Sequence, residues 1–230
     1  MHGLHEDDIA ISGFAAVRER VLLLDRTFFK QVIPDECMDG FGGCVYLANA
    51  WFSPRGDTGL HHHTGLDIVS LIPRGSILHK GTLGDGVEVV AGQVQIQRDG
   101  GCGFSHNEIN PNNQIQPMIQ LWINPLWPVG ENHHAPAPEY QVLDVHTGLT
   151  CVYGGDLFAA PMRVDVLHWP DGGDISFSDE TLLYVCSGQA QIREGKDVVA
   201  ATRGTLLRGK HLHVQTNEAL QLLVIRHPGR

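Results

Sequence analysis

His61-His62-His63-Thr64-Gly65-Leu66-Asp67, taken together with His106-Asn107-Glu108, is the stretch on which the reading of this chain turns. Residues two apart on a β-strand point to the same face. His61 and His63 then project together, and so do His106 and Glu108. If the two segments lie side by side, three imidazoles and one carboxylate reach a common point. Such a mixed N/O set suits a first-row transition metal and leaves room for further ligands. The competing reading is a polar loop in a chain that holds 14 His. The second pair, and the strands around both pairs, weigh against it. His62 should face away from its neighbours and is not read as a ligand.

Working outward, short apolar runs alternate with turn signals. Val45–Phe52, Ile68–Ile72, Ser76–Lys80, Val87–Ala91, Val94–Gln97 and Ile115–Ile123 read as strands. Gly84-Asp85-Gly86 is a tight-turn sequence between two of them. Gly and Pro interrupt most windows, and no helix is convincing. This punctuation predicts an all-β fold, a barrel or sandwich.

A weak internal repeat doubles that unit. Leu71-Ile72-Pro73-Arg74-Gly75 and, after a hairpin, Val89-Val90-Ala91-Gly92 match Tyr184-Val185-Cys186-Ser187-Gly188 and Val199–Gly204. Two β-barrels of similar plan follow, expected over residues 1–130 and 131–230. The Pro-rich segment Pro125–Pro138 reads as their linker, with His133-His134 in a solvent-exposed loop. Carried across the repeat, His61 and His63 fall on Asp174 and Ser176. His106 and Glu108 fall on Glu218 and Leu220. The second half therefore lacks the ligand set, and its own His211-Leu212-His213 has no partner strand with ligands.

Composition bounds the rest. The 230 residues carry a net charge of −10 and no basic run, which argues against direct nucleic-acid binding. No apolar stretch approaches a membrane span, and the polar, acidic start is not a signal peptide. The five cysteines are scattered with no C-x-x-C, so reduced thiols in a cytoplasmic protein are expected. Cys102, four residues before His106, could lie near the metal, but a small buried apolar residue is the preferred reading.

These motifs resemble the cupin superfamily, and within it the pirin family. The first cupin motif stands as His61-His62-His63-Thr64-Gly65-Leu66-Asp67 with Gly75 closing it. The second stands as Gly103-Phe104-Ser105-His106-Asn107-Glu108-Ile109-Asn110. Glu two residues after the second-motif His is the pirin mark. Gln120-Leu121-Trp122-Ile123-Asn124 and Pro138-Glu139-Tyr140-Gln141 are also similar to pirin sequence. The resemblance is strongest from Gly59 to Gln141. Three departures stand out: Thr64-Gly65-Leu66-Asp67 replaces a usual Arg-Gly-Phe-Glu, His62 stands where Pro is common, and the Arg98–Gly101 region is one residue longer.

The resemblance implies a bicupin, two tandem antiparallel jelly-roll-like barrels, with one metal in the N-terminal barrel on His61, His63, His106 and Glu108. Fe(II) is the usual ion; Mn, Ni, Cu or Zn are alternatives. The implied activity is that of a quercetin 2,3-dioxygenase on flavonol-like substrates, with Glu108 also serving as general base. A non-catalytic, metal-dependent regulator that binds a protein partner is the alternative, and a cupin isomerase using the metal as a Lewis acid is a third. Asp67 could orient a ligand imidazole or be a solvated turn-end carboxylate. His79 is expected as a core or rim residue.

Overall fold

The structure, a computed structural model, describes residues 1–30, 34–125 and 137–227. Twenty strands run in chain order as β1 (His2–His5), β2 (Ser12–Phe14), β3 (Val17–Leu24), β4 (Cys44–Phe52), β5 (His61–His63), β6 (Asp67–Leu71), β7 (Ser76–Gly81), β8 (Val87–Val90), β9 (Gln93–Arg98), β10 (Phe104–Ile109) and β11 (Gln116–Ile123), then β12 (Glu139–Asp144), β13 (Gly148–Tyr153), β14 (Arg163–Trp169), β15 (Gly173–Phe177), β16 (Thr181–Glu194), β17 (Asp197–Thr202), β18 (Thr205–Gly209), β19 (Leu212–Thr216) and β20 (Leu220–Arg226). One short helix, α1 (Arg26–Phe29), and a single 3-10 turn at Glu6–Asp8 complete the described elements. Every strand pair among the described residues is antiparallel, as the all-β reading expects. Among the described residues no helix is long and apolar enough to cross a membrane.

The first barrel is built from a seven-stranded sheet, β12-β9-β6-β11-β4-β3-β2, and a four-stranded sheet, β5-β10-β7-β8. The second is a nine-stranded sheet folded on itself, in which β15 and β19 close over β16. The Gly84-Asp85-Gly86 turn links β7 to β8, with Gly84 and Gly86 in the left-handed region. Gly81 allows β10 to pass close by, since a Cβ there would lie 2.3 Å from the Ser105 carbonyl oxygen.

The division expected at residue 130, and most of the expected linker with His133-His134, lie outside the described residues. On either side of it, strands cross between the barrels. β12 pairs with β9 of the first, and β1 pairs with β18 of the second.

Alternation along the strands sorts the core into three parts. The largest lies between the barrels: Val69, Leu71, Val94, Ile96, Ile119 and Leu121 from the first barrel meet Tyr153, Val166, Leu182, Tyr184, Leu223 and Ile225 from the second. The second barrel's interior is packed by Phe177, Leu183, Val185, Leu212, Val214, Leu222 and Val224. The first barrel's interior is apolar only at one end, around Phe52, Ile72, Ile77, Val89 and Met118. Its other end carries polar side chains.

Glu6 fastens the N-terminal segment across both barrels. Its buried carboxylate accepts from Asn49 Nδ2 at 2.7 Å on β4 and from the Tyr184 hydroxyl at 2.8 Å on β16, and pairs with Arg203 at 2.8 Å. Replacing Glu6 by Ala strands the buried Tyr184 hydroxyl and the half-buried Asn49 amide. Because Arg203 is itself well exposed, the loss should be modest for a buried pair, about 2 kcal/mol, and smaller for Glu6→Gln. Urea unfolding of the three proteins measures this; a midpoint unchanged in Glu6→Ala would show that the knot does not contribute.

Candidate metal centre

β5 and β10 are adjacent antiparallel strands, with His61 opposite His106 and His63 opposite Phe104. Their alternation sends His61, His63 and His106 to the barrel interior. His62 goes outward, where its Nδ1 meets the Ser105 hydroxyl at 3.2 Å. The three inward rings crowd together, with centroids 4.8 Å apart for His61 and His63, 4.5 Å for His61 and His106, and 5.0 Å for His63 and His106. One ligand atom from each lies within 4.8 Å of the others.

Protonation favours lone pairs in this cluster. His61 Nδ1 lies 2.8 Å from the Gly59 carbonyl, which can only accept, so Nδ1 carries the proton and Nε2 is bare in the neutral ring. That Nε2 faces His106 Nε2 at 3.1 Å, while buried His106 Nδ1 has no partner. Burial, reinforced by the neighbouring imidazoles His61 and His62, pulls the His63 pKa down to about 4. Burial lowers His106 as well, helped by His63, His61 and His79. Neutral imidazoles directed at one point fit a divalent cation.

Glu108 stands two residues further along β10 and is buried, but its carboxylate is not part of the three-histidine cluster. One oxygen accepts from Gln95 Nε2 and, at 3.4 Å, from the Ser70 hydroxyl. The other accepts from Gln120 Nε2 at 3.1 Å. Burial raises its pKa to about 7, although these three donors pull the other way. Behind it, the Tyr140 hydroxyl donates to Gln95 Oε1 at 3.1 Å, and the Tyr140 ring stacks on His79 at 4.6 Å. His79 is fully buried, with Nε2 donating to the Leu83 carbonyl at 2.7 Å.

The wall of the centre is aromatic. Phe104 lies 5.6 Å from both His63 and His106, Trp122 lies 5.2 Å from His63, and Phe14 meets His61 edge-on at 6.1 Å. Phe14 and Leu60 are exposed at its rim.

One carboxylate ties the two motif loops together. Asp99, fully buried after β9, accepts from the backbone N–H of Gly65, Gly101 and Gly103. Gly65 follows β5 and Gly103 precedes β10, so Asp99 sets where the histidine strands start and stop. Its own N–H donates to Asp67 Oδ1 at 2.8 Å.

Several expectations change here. Asp67 neither orients an imidazole nor sits in water. It is fully buried and its second oxygen takes the Tyr153 hydroxyl at 2.7 Å, which links the centre to the second barrel. Cys102 is exposed rather than buried, because the longer Asp99–Gly103 connection carries it outward. In the second barrel, β19 pairs with β15 as β10 pairs with β5. The counterpart of β10 is therefore Leu212–Thr216 and not the region of Glu218 and Leu220. The connection before it is only Lys210-His211, which advances the register. Leu212 and Val214 point into the apolar interior, and His213 turns outward to Ser176 at 3.0 Å. Gln95, Gln120, Asp99, Phe14 and Trp122 carry roles that the motif spacing did not assign. For Gln95, Gln120 and Trp122 the signal was polar or aromatic character at inward strand positions; Asp99, in the connection after β9, and Phe14, exposed on β2, carried none.

Residues 38–123 match the sequence model of the family described as Pirin. A pirin-like protein of Caulobacter vibrioides is 34% identical over 107 residues, 46% of each chain. A quercetin 2,3-dioxygenase of Escherichia coli K12 is 29% identical over 107 residues, 46% of this chain and 44% of that one. These matches thus span less than half of the relatives' length. Over whole chains, the bacterial pirin YhhW of Escherichia coli, solved in complex with nickel(II), superposes with a TM-score of 0.78 at 15% identity, covering 100% of this chain and 99% of that one. A quercetin 2,3-dioxygenase structure from Acinetobacter baumannii gives 0.66 at 17% identity, covering 99% and 85%. These structural likenesses establish the cupin-barrel fold.

Two measurements follow. His63→Ala should remove most bound metal, whereas His213→Ala should leave about one ion per chain; equal loss in both would displace the site from β5. Gln97, fully buried inside the first barrel, has neither amide atom paired. Gln97→Met keeps the volume and drops the unpaired amide, so unfolding free energy should rise by about 1–2 kcal/mol. A loss of stability would mean that the amide is satisfied.

Proposed function

We propose, from the premise that residues 38–123 make this chain a member of the pirin family, that it is a metal-dependent dioxygenase of the quercetin 2,3-dioxygenase type, using iron at the three-histidine centre. The observation that carries this reading is a cluster of neutral imidazoles beside a carboxyl whose pKa is near 7, inside an aromatic wall. When bound, the metal supplies Lewis acidity toward a substrate oxygen.

The chain's own residues do the remainder. His61, His63 and His106 would hold the ion, and Glu108, two residues along β10, stands beside them in the hydrogen bonds of Gln95 and Gln120. A flavonol is flat and aromatic, which suits Phe104 and Trp122 as walls and Phe14 and Leu60 as an apolar lip. Glu108 takes the proton of the substrate hydroxyl at a carboxylate oxygen. A group with pKa near the working pH is well matched to that task. Gln95 and Gln120 steady the charged form by donating to it, and burial keeps the pKa high enough for the proton to be accepted. Tyr140 holds Gln95 in place from behind.

The test is oxygen uptake with quercetin by iron-loaded protein. The rate should rise with pH as Glu108 loses its proton near pH 7, and level off above. Glu108→Gln should lower turnover on the order of 10²-fold or more and abolish that rise, while the three histidines retain much of the metal. Wild-type protein that holds iron and consumes no oxygen would overturn the dioxygenase reading. The same centre would then serve a non-catalytic, metal-dependent regulator.

A further inference from the structure

A second cavity lies on the opposite face of the seven-stranded sheet from the metal centre. It occupies about 600 Å³ where the two barrels meet. This is within the range of small-molecule sites, roughly 300–1,000 Å³. β4 and β11 turn Asn49, Trp51, Pro117 and Ile119 toward it, β16 contributes Tyr184, Cys186 and Ser187, and the turn after β6 contributes Arg74.

The polar groups here are unevenly used. The cavity holds two acids, Glu6 and Asp7, and three guanidinium groups, Arg20, Arg74 and Arg203. Both acids are already committed. Glu6 is held by Arg203, Asn49 and Tyr184, and Asp7 by Arg20. Arg74 has no ion pair or side-chain hydrogen bond among the described residues, and the Ser187 hydroxyl and the Trp51 indole N–H are likewise without partners. The cavity therefore offers one uncompensated positive charge and spare donors, and no free carboxylate.

Its lips are apolar. Ile11 and Ile115 are 57% and 53% exposed, and both line the opening. With Trp51, Pro73 and Pro117 they form an apolar surface facing water around a single free cation. Large exposed apolar side chains that converge on one opening mark an interaction site rather than scatter.

We propose that this inter-barrel cavity binds a small monoanionic amphiphile, an apolar chain or ring ending in a carboxylate, with the carboxylate on Arg74 and the apolar body across Ile11, Ile115 and Trp51. The planar guanidinium matches a carboxylate in bidentate fashion. One net positive charge suits a monoanion better than a phosphate dianion. The site does not depend on the metal centre, from which the sheet separates it.

Decanoate is a suitable probe, titrated calorimetrically into the full-length metal-loaded protein. One saturable site per chain is expected. Arg74→Glu and Ile115→Asp should each weaken it tenfold or more, the scale of a charge-assisted hydrogen bond. Both residues are exposed, so both variants should melt like the wild type, and melting curves check this. Decanol should bind at least tenfold more weakly, and inorganic phosphate should not compete. His63→Ala should bind decanoate normally, which separates this cavity from carboxylate binding at the metal. Absence of saturable binding, full affinity in Arg74→Glu, loss in His63→Ala, or displacement by phosphate would each overturn the proposal.

Discussion

The central strands β4, β6, β9 and β11 of the first barrel's seven-stranded sheet are buried on both faces, and their polarity is reversed. Along β6, β9 and β11 the apolar residues Val69, Leu71, Val94, Ile96, Ile119 and Leu121 face outward, into the core shared with the second barrel. The alternate residues Ser70, Gln95, Gln97 and Gln120 face the barrel interior. An isolated barrel built this way would expose its best apolar surface. The second barrel supplies the missing cover, so the first can keep a polar interior without losing its core. In the second barrel both faces are apolar, as in β20, where Leu222 and Val224 point in while Leu223 and Ile225 point to the shared core. One barrel is apolar throughout, and the other holds the polar groups of the candidate centre inside it.

That interior is costly, and the cost is concentrated around the histidines. Buried polar groups need partners. Glu108 finds three, Asp67 finds two, and Asp99 holds three backbone N–H groups. Gln97 and the Nδ1 atoms of His79 and His106 find none. The Asp99 carboxylate matters most for geometry, because it binds the ends of both motif loops to one point. Tyr153 extends the same chain of contacts into the second barrel, so the histidine cluster is positioned from outside its own sheet as well as within it.

Much of this was legible in the sequence, for a simple reason. The spacing of His61 with His63 on one strand, and the placement of His106 on another, states a shared face directly. Strands such as Val45–Phe52 and Ser76–Lys80 were marked by turns at both ends and recur within a residue or two as β4 and β7. What alternation does not state is which neighbour covers each face. Gln95 and Gln120 are given no role by the motif spacing, yet they surround Glu108. Asp67 reads either as an imidazole-orienting group or as a turn-end carboxylate, yet its partner Tyr153 lies 86 residues away. The repeat aligned the two Gly-closed hairpins, but it was off by one at β15, where Ile175 and Phe177 rather than Asp174 and Ser176 face inward as His61 and His63 do, and it slipped further because the connection before β19 is shorter than that before β10. Loop length leaves no periodic signal, so the counterpart of β10 could be placed only from the strand pairing.

The crossing of β1 into the second barrel has a consequence for how the polypeptide can be altered. β18 has two neighbours, β16 on one side and β1 on the other. Without His2–His5, the backbone N–H and C=O groups of Thr205–Arg208 would form an open sheet edge, the kind of surface on which strands of other molecules add. The first residues of the chain thus act as a guard against self-association for a barrel encoded well over a hundred residues later. Tags, fusions or trims at that end will be felt there, and not in the histidine-bearing half to which the sequence joins them.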